Sequence, residues 1–433
     1  MFNCCHLVKR IPSFGSLRLY AMLRKLPCAY LKGGCLKSTL FAFLLSLVVL
    51  PLTVAAESLS FENFSQTLQL QPTESGGNRY FSGDNELRSG DRIILKVAKV
   101  LEKEDVLALD VAMTGITELY RLKESVYYSA NISESASLSQ VIATLADKKG
   151  VHLVQPDLLQ LKGRHHGNHA PRPPIDHIQL LGIAEMWQKG KGEHVKVAII
   201  DDGFALDHED LKNTRVAFQY DMQSQSRDAS PKLDADSHGT QVAGIIFAQH
   251  NEVGGNGVAP NAELIAIRDT ETWTSNLLLG FNLAKLAGAD VINCSWTSQL
   301  LLEPVVDVIN DLAQNGRDGK GVAVVFSAGN GRSELQAYSS EATLPNVISV
   351  GSKNLKGQIA RFSNHGEHIQ YYTYGQRILT TSTSPDHQYK NFGGTSASAP
   401  IVSGLVALML SADNRLTLAQ IKKNLHNLLG KVG

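Results

Sequence analysis

An α/β fold, a parallel β-sheet with helices on both faces preceded by a small α+β unit, is the class this 433-residue sequence predicts. Three observations point to it. Short apolar runs rich in β-branched residues alternate with helical patterns beyond Ile175, a connector rich in Gly, His and Pro separates that region from a shorter mixed one, and no acid precedes Glu57. Apolar strands alternating with helices are the pattern of a sheet buried on both faces. Hydrophobic residues at 43%, charged residues at 19% and 36 glycines exclude a disordered, fibrous or multi-span membrane chain. The 41 basic residues balance 41 acidic ones, so no nucleic acid is expected as a partner.

Residues 1–56 carry Lys9, Arg10, Arg18, Arg24, Lys25, Lys32 and Lys37, and an apolar run over 40–50 leads through Pro51 to Val54-Ala55-Ala56. Basic flank, apolar stretch and small residues in that order read as a secretory signal cleaved after Ala56, with Met22 as an alternative start. The mature chain is then secreted, or periplasmic or otherwise extracytoplasmic, with no stable membrane span once the signal is removed. An uncleaved anchor and an organelle transit peptide remain open alternatives. Cys4, Cys5, Cys28 and Cys35 precede the cut, so Cys294 alone is exported and no internal disulfide can form.

Residues 57–90 are polar, contain Glu74-Ser75-Gly76-Gly77-Asn78, and read as a lead-in or linker. The α+β unit is expected over 91–164, with strands at 92–97, 120–122 and 151–154 and a helix at 138–146. It ends at Gly163-Arg164-His165-His166-Gly167-Asn168, followed by Pro171, Pro173 and Pro174, an exposed connection suited to proteolysis. Over 165–433 the expected strands are 195–200, 264–267, 291–292, 322–326 and 347–350, with helices including 276–287 and 304–313.

Four short strings carry candidate chemistry. Asp201 ends the first strand, before Asp202-Gly203, and functional groups collect at the carboxyl ends of strands in open α/β sheets; an Asp-Gly there is also an ordinary turn. Asp236-Ser237-His238-Gly239-Thr240 opens an apolar helix, and the positive end of a helix dipole favours the neutral imidazole a general base needs; alone, the string is a cap. Ser396, in Gly394-Thr395-Ser396-Ala397-Ser398-Ala399-Pro400, stands at another helix start, where unpaired backbone N–H groups stabilise an oxyanion; alone, it too is a capping string. Asn330, in Ala328-Gly329-Asn330-Gly331, offers an amide donor at a strand end, or serves as a turn residue.

Asp, His and Ser in that chain order, each in a glycine-containing signature at a strand end or helix start, resemble the subtilase family of serine endopeptidases. The resemblance runs over about 175–425 and includes Gly257-Val258-Ala259-Pro260-Asn261-Ala262. Asp202, Ser295-Trp296, Gly316-Arg317-Asp318-Gly319-Lys320-Gly321 and Ala397-Ser398-Ala399-Pro400 are closest in flavour to its kexin and furin group. Thr297-Ser298-Gln299-Leu300 departs from that group, and with Gly433 last, its β-rich C-terminal domain is not expected.

The resemblance implies catalysis by Asp201, His238 and Ser396 with Asn330 as oxyanion donor, acting on protein or peptide substrates. Substrate would pair as an added strand along Ser295, Trp296 and Thr297. Asp202, with Asp234 and Asp236, and Glu341 near the specificity pocket imply a preference for basic residues before the cut, against the plain reading that these acids are merely solvated. At the spacing of the family's calcium loop, Asp210, Gln249, Asn251, Val253 and Gly255 imply a structural calcium, where the bland reading is a surface loop. The 91–164 unit resembles the family's propeptide, which implies an intramolecular inhibitor removed by self-cleavage at Arg164. A monomer is expected. The rivals are a broad degradative subtilase and a catalytically silent binding protein.

Overall fold

The computed structural model describes residues 58–73, 78–83, 85–160, 173–384 and 386–430; the signal sequence expected over 1–56, residues 161–172 and the cut expected at Arg164 lie outside them. The N-terminal unit comprises β1 (Leu59–Asn63), β2 (Gln66–Pro72), β3 (Arg79–Ser82), β4 (Asn85–Ala98), α1 (Lys103–Leu107), β5 (Met113–Arg121), β6 (Ser125–Ile132), α2 (Leu138–Ala146) and β7 (Val151–Gln160). The larger region holds α3 (His177–Leu180), α4 (Ile183–Met186), β8 (Lys196–Asp201), β9 (Arg215–Asp221), α5 (His238–Phe247), β10 (Glu263–Arg268), β11 (Thr272–Trp273) and α6 (Thr274–Leu286). It continues with β12 (Val291–Cys294), α7 (Glu303–Asn315), β13 (Ala323–Ser327), β14 (Ile348–Lys353), β15 (Tyr371–Tyr374), β16 (Ile378–Thr381), β17 (Tyr389–Phe392), α8 (Thr395–Ala412) and α9 (Leu418–Leu429).

Seven strands form the main sheet in the order β15-β14-β13-β12-β8-β10-β9, and every pairing is parallel. The pleat divides its side chains between two cores. Val197 and Ile199 of β8 pack with α5 and α8, whereas Ala198 and Ile200 pack with α6 and α7. Most of α8 is buried, Ser396 and Ile401 to Val406 included, so its apolar sequence serves a core helix. Pro400 falls within the first turns of α8, where a missing N–H leaves little unsatisfied. The apolar runs at 195–200, 264–267, 291–292, 322–326 and 347–350 all lie in the sheet; β9 and β15, which complete its edges, have weaker patterns.

The N-terminal unit is an antiparallel sheet of order β1-β2-β3-β4-β6-β5, with β7 joined to β4 on one side and β11 on the other. Its helix occupies 138–146 as the spacing predicts. The lead-in reading of 57–90 is corrected: these residues form the β1-β2 hairpin, β3 and the start of β4. Their inward residues Leu59, Phe61, Leu70, Tyr80 and Leu87 are buried, a period-two pattern masked by the polar residues between them.

This unit covers α6 and α7, and its apolar side chains are continuous with the core on that sheet face. Polar contacts fix the seat. Asp157, fully buried, accepts from the Ser275 N–H (2.9 Å) and hydroxyl (2.7 Å) at the start of α6 and from Arg92 (2.9 Å). Burial pushes its carboxyl up, against the pull of Arg92 and Ser275. Tyr120 and Lys285 both donate to Asp311 Oδ2 (2.7 and 2.6 Å), and Tyr127 and Lys96 to Asp307 Oδ2 (2.7 and 2.6 Å). At α7, Asn63 Oδ1 accepts from Glu303 N (2.9 Å) while Glu303 Oε2 accepts from Phe64 N (2.9 Å), a reciprocal cap contributed by the hairpin.

Candidate active site

Asp201 is the last residue of β8 and His238 the first of α5, and both are buried. Both Asp201 carboxylate oxygens lie 2.9 Å from His238 Nδ1, which fixes that nitrogen as the protonated one and leaves Nε2 to face a reactant. The Asp202 N–H donates to Asp201 Oδ1 (2.8 Å), a further hold on the carboxylate. Phe392 meets the imidazole edge-on at 5.3 Å. A side chain at Gly239 would place its Cβ 2.6 Å from Gly203 O and 3.0 Å from Asp201 Cβ; only glycine lets α5 start this close to β8.

Ser396 is the second residue of α8 and its hydroxyl donates to Ser295 O at 3.0 Å. Ser295 Oγ donates back to Ser396 O (3.1 Å) and accepts from Asn293 Nδ2 (2.9 Å), while Ser403 donates to Asn293 Oδ1 (2.9 Å). This buried chain locks the first turns of α8 to the end of β12. The next residue, Trp296, donates its indole N–H to Ile200 O (2.8 Å), beside Asp201. The 295–296 pair thus ties the strand end bearing Asp201 to the helix start bearing Ser396.

Asn330 closes the arrangement. Its Oδ1 accepts from the Thr395 N–H (2.8 Å) and hydroxyl (3.1 Å), and Thr395 Oγ1 accepts from Gly329 N (3.0 Å). A backbone N–H on Oδ1 sets the amide orientation, so Nδ2 is the end available to a ligand. Gly394 adopts φ +91°, and a Cβ there would come 3.0 Å from Asn330 Nδ2, so glycine is needed on both counts. The sequence singled out Ser396 and Asn330; the bracing by Thr395, Asn293 and Ser403 carries no signal until β12 and α8 are known to be neighbours.

Several predicted binding residues do other work. Asp202 is corrected from substrate binding to helix capping: it is buried, and its two oxygens accept from the N–H groups of His238 (3.2 Å) and Gly239 (2.7 Å). Asp236 is buried in an ion pair with Arg268 (2.6 Å), which also meets Asp221 (3.0 Å). Asp234 is exposed and lines an open cavity of about 610 Å³ with Lys232, Leu233, Ser237 and Ser382. The Trp296 side chain packs edge-on against Phe326 at 5.5 Å and is core, leaving its main chain and that of Ser295 and Thr297 for any strand-like contact. Glu341 is buried, accepts from Ser298 N at 3.1 Å, and leaves Oε1 without a hydrogen-bond partner. Burial pushes this carboxyl up.

Around the 249–255 loop, Asp210 is buried and Oδ2 has no hydrogen-bond partner; burial pushes its carboxyl up as well. An orphaned carboxylate oxygen suits a hard cation. Asn251 departs from the expected ligand geometry: its Oδ1 accepts from Val253 N (3.1 Å), and its Nδ2 donates to Asp210 Oδ1 (2.7 Å). The Gln249 side chain is turned to Phe247 O and Pro260 O (3.3 and 3.4 Å), while its backbone N–H donates to Asp210 O (3.2 Å) and Gly255 packs on Leu379 O.

Because Asp202 holds the first turn of the histidine helix, Asp202→Ala is expected to lose ~1–2 kcal/mol of stability, and Asp202→Asn less. Urea unfolding followed by tryptophan fluorescence reads the difference; superimposable curves would remove the capping role.

The subtilase family model matches residues 192–429, more than half of the chain. The major intracellular serine protease of Bacillus subtilis is 32% identical over 246 residues, 54% of this chain and 74% of that protein. Subtilisin of Bacillus pumilus is 34% identical over 247 residues, 54% and 84% of the two chains. Subtilisin E of Bacillus subtilis is 29% identical over 340 residues, 75% and 85%. A solved structure of the MycP3 protease from the type VII (ESX-3) secretion system covers 61% of this chain and 85% of its own with a TM-score of 0.52 at 24% identity, a likeness of fold. A parallel sheet with Asp201 at a strand end against His238 at a helix start, and a family match that spans every strand of that sheet, lead to one assignment: the chain belongs to the subtilase family and is a serine-type endopeptidase.

Proposed function

We propose that the chain is an exported endopeptidase, made as a self-processing precursor, in which Asp201, His238 and Ser396 form the charge relay. The Asp201–His238 pair at 2.9 Å carries this reading. The Ser396 hydroxyl rotates from Ser295 O toward His238 Nε2, which takes its proton as the oxygen attacks the peptide carbonyl. His238 then returns the proton to the leaving amine, and Asp201 stabilises the imidazolium formed between. The tetrahedral oxyanion is held by Asn330 Nδ2 and the Ser396 N–H at the α8 start. The N-terminal unit acts as the inhibitory propeptide. In support, the 75% of the chain aligned with subtilisin E is more than residues 192–433 can supply, so the match reaches into this unit.

Two finer readings belong to the same proposal. Glu341, buried with one unbonded oxygen, favours a basic residue before the cut; Asp202 and Asp236 are already engaged elsewhere. Calcium would be held by Asp210, by the carbonyls of Gln249, Val253 and Gly255, and by Asn251 with its amide turned to present oxygen. There it would neutralise a buried carboxylate and pin the loop.

Three measurements test these readings. N-terminal sequencing of exported protein is expected to give a start after Arg164 for the wild type and after Ala56 for Ser396→Ala; a shortened Ser396→Ala chain expressed alone would refute self-processing. A peptide library cleaved by the mature enzyme should show Arg and Lys enriched before the cut, with Glu341→Gln reducing that enrichment about tenfold or more; no enrichment refutes the basic preference. Chelation by EGTA is expected to lower the thermal midpoint by several degrees, as removal of a ligand bound only to the folded state must; an unchanged midpoint excludes a structural ion.

A further inference from the structure

The last described residue of the N-terminal unit, Gln160, makes contacts that its place at the end of a strand does not require. Its main chain pairs with Leu87 of β4 and with Thr272 of β11, whose hydroxyl donates to Gln160 O. Its side chain, buried with 3% exposure, reaches the segment directly after Thr297-Ser298. There Gln160 Oε1 accepts from Gln299 N (3.1 Å) and Leu300 N (2.8 Å), and Gln160 Nε2 donates to Leu300 O (2.9 Å). Gln299 O is satisfied separately by Asn85 Nδ2 (3.2 Å).

One carboxamide thus answers two N–H groups and one carbonyl, and it does so as a neighbouring strand would, with donor and acceptor facing the same residue. Few other side chains can. A carboxylate has no donor and would set an anionic oxygen against Leu300 O, while Lys and Arg have donors only and leave both N–H groups unanswered. Leu answers none of the three, and Asn is shorter by one methylene. Buried polar groups left unpaired are what gives a site its discrimination between near-isosteres.

We propose that the main chain of Gln299 and Leu300 is a glutamine-reading subsite, and that favoured substrates carry Gln at the position Gln160 holds in the precursor. With Arg164 as the residue before the cut, that position is the fifth before the scissile bond. The inference rests on the peptidase reading: when the N-terminal unit leaves, Gln299 and Leu300 face the next peptide to enter between them and β11. Strand pairing at Thr272 is indifferent to side-chain identity; the Leu300 contacts add the selection.

The test uses enzyme purified from expression of the full chain and a fluorophore-quencher peptide of residues 156–170, with Gln160 kept or replaced by Glu, Leu or Asn. Expected is a kcat/KM about 10- to 100-fold lower for each replacement, through lost hydrogen bonds for Leu and Asn and through a lost donor and a carboxylate set against Leu300 O for Glu. Values within twofold of the parent overturn the subsite, as does a parent peptide that stays intact while Ser396 is labelled by a serine-directed phosphonate. Absence of phosphonate labelling instead overturns the peptidase reading itself, so the two failures are told apart.

Discussion

Two adjacent carboxylates at the end of β8 set the geometry on which the rest of the site depends. Asp201 holds the imidazole of His238 by its side chain, and Asp202 holds the helix that carries His238 by its first two N–H groups. The division of labour is complete: both Asp201 oxygens face the ring nitrogen, and both Asp202 oxygens face the helix N–H groups. With both in place, His238 is held by two neighbouring residues at one strand end, and the glycine at 239 is the condition for that approach. Each buried negative charge meets donors at hydrogen-bonding distance, the arrangement in which a buried carboxylate is tolerable.

The second half of the site is brought to this point by burial. Helix α8 lies in the core with Ile401, Val402, Leu405 and Val406 packed on the sheet, so the position of its first turn follows from where that apolar face settles. The Ser403-Asn293-Ser295 chain then fixes the turn's rotation against β12. The same logic holds for Asn330: Thr395 holds its oxygen end, and the amide donor is directed by exclusion. Rigid elements supply the placement and short polar chains supply the aim, which is what keeps reacting groups within a fraction of an ångström.

The parts of this fold legible in sequence are those with strong local patterns. The apolar β-branched runs lie in the main sheet, and the helix at 138–146 was readable from its spacing alone. The β1-β2 hairpin was not, because its buried Leu59, Phe61 and Leu70 are set among Ser, Glu, Gln, Thr and Asn that read as linker. The motif residues Asp201, His238, Asn330 and Ser396 stood out by glycine signatures, yet the partners that brace them are common residues a hundred or so positions away. Sequence spacing also misled where acids were concerned. Asp202 and Asp236 look like a negative cluster near His238, but the three-dimensional neighbours of each are N–H groups or Arg268, which a linear count cannot show.

That contrast gives a physical criterion for sorting buried acids. Asp202 and Asp157 have both oxygens met by backbone N–H groups, a hydroxyl or a guanidinium. Asp210 and Glu341 each keep one oxygen unanswered in the interior, with the carboxyl pushed up by burial. Leaving a polar atom in that state costs more than any single hydrogen bond returns. Asp210 lies beside Asn251 of the 249–255 loop and Glu341 beside Ser298. The Leu300 main chain shows the complementary case: its N–H and carbonyl are both answered by the side chain of Gln160, a residue of the N-terminal unit.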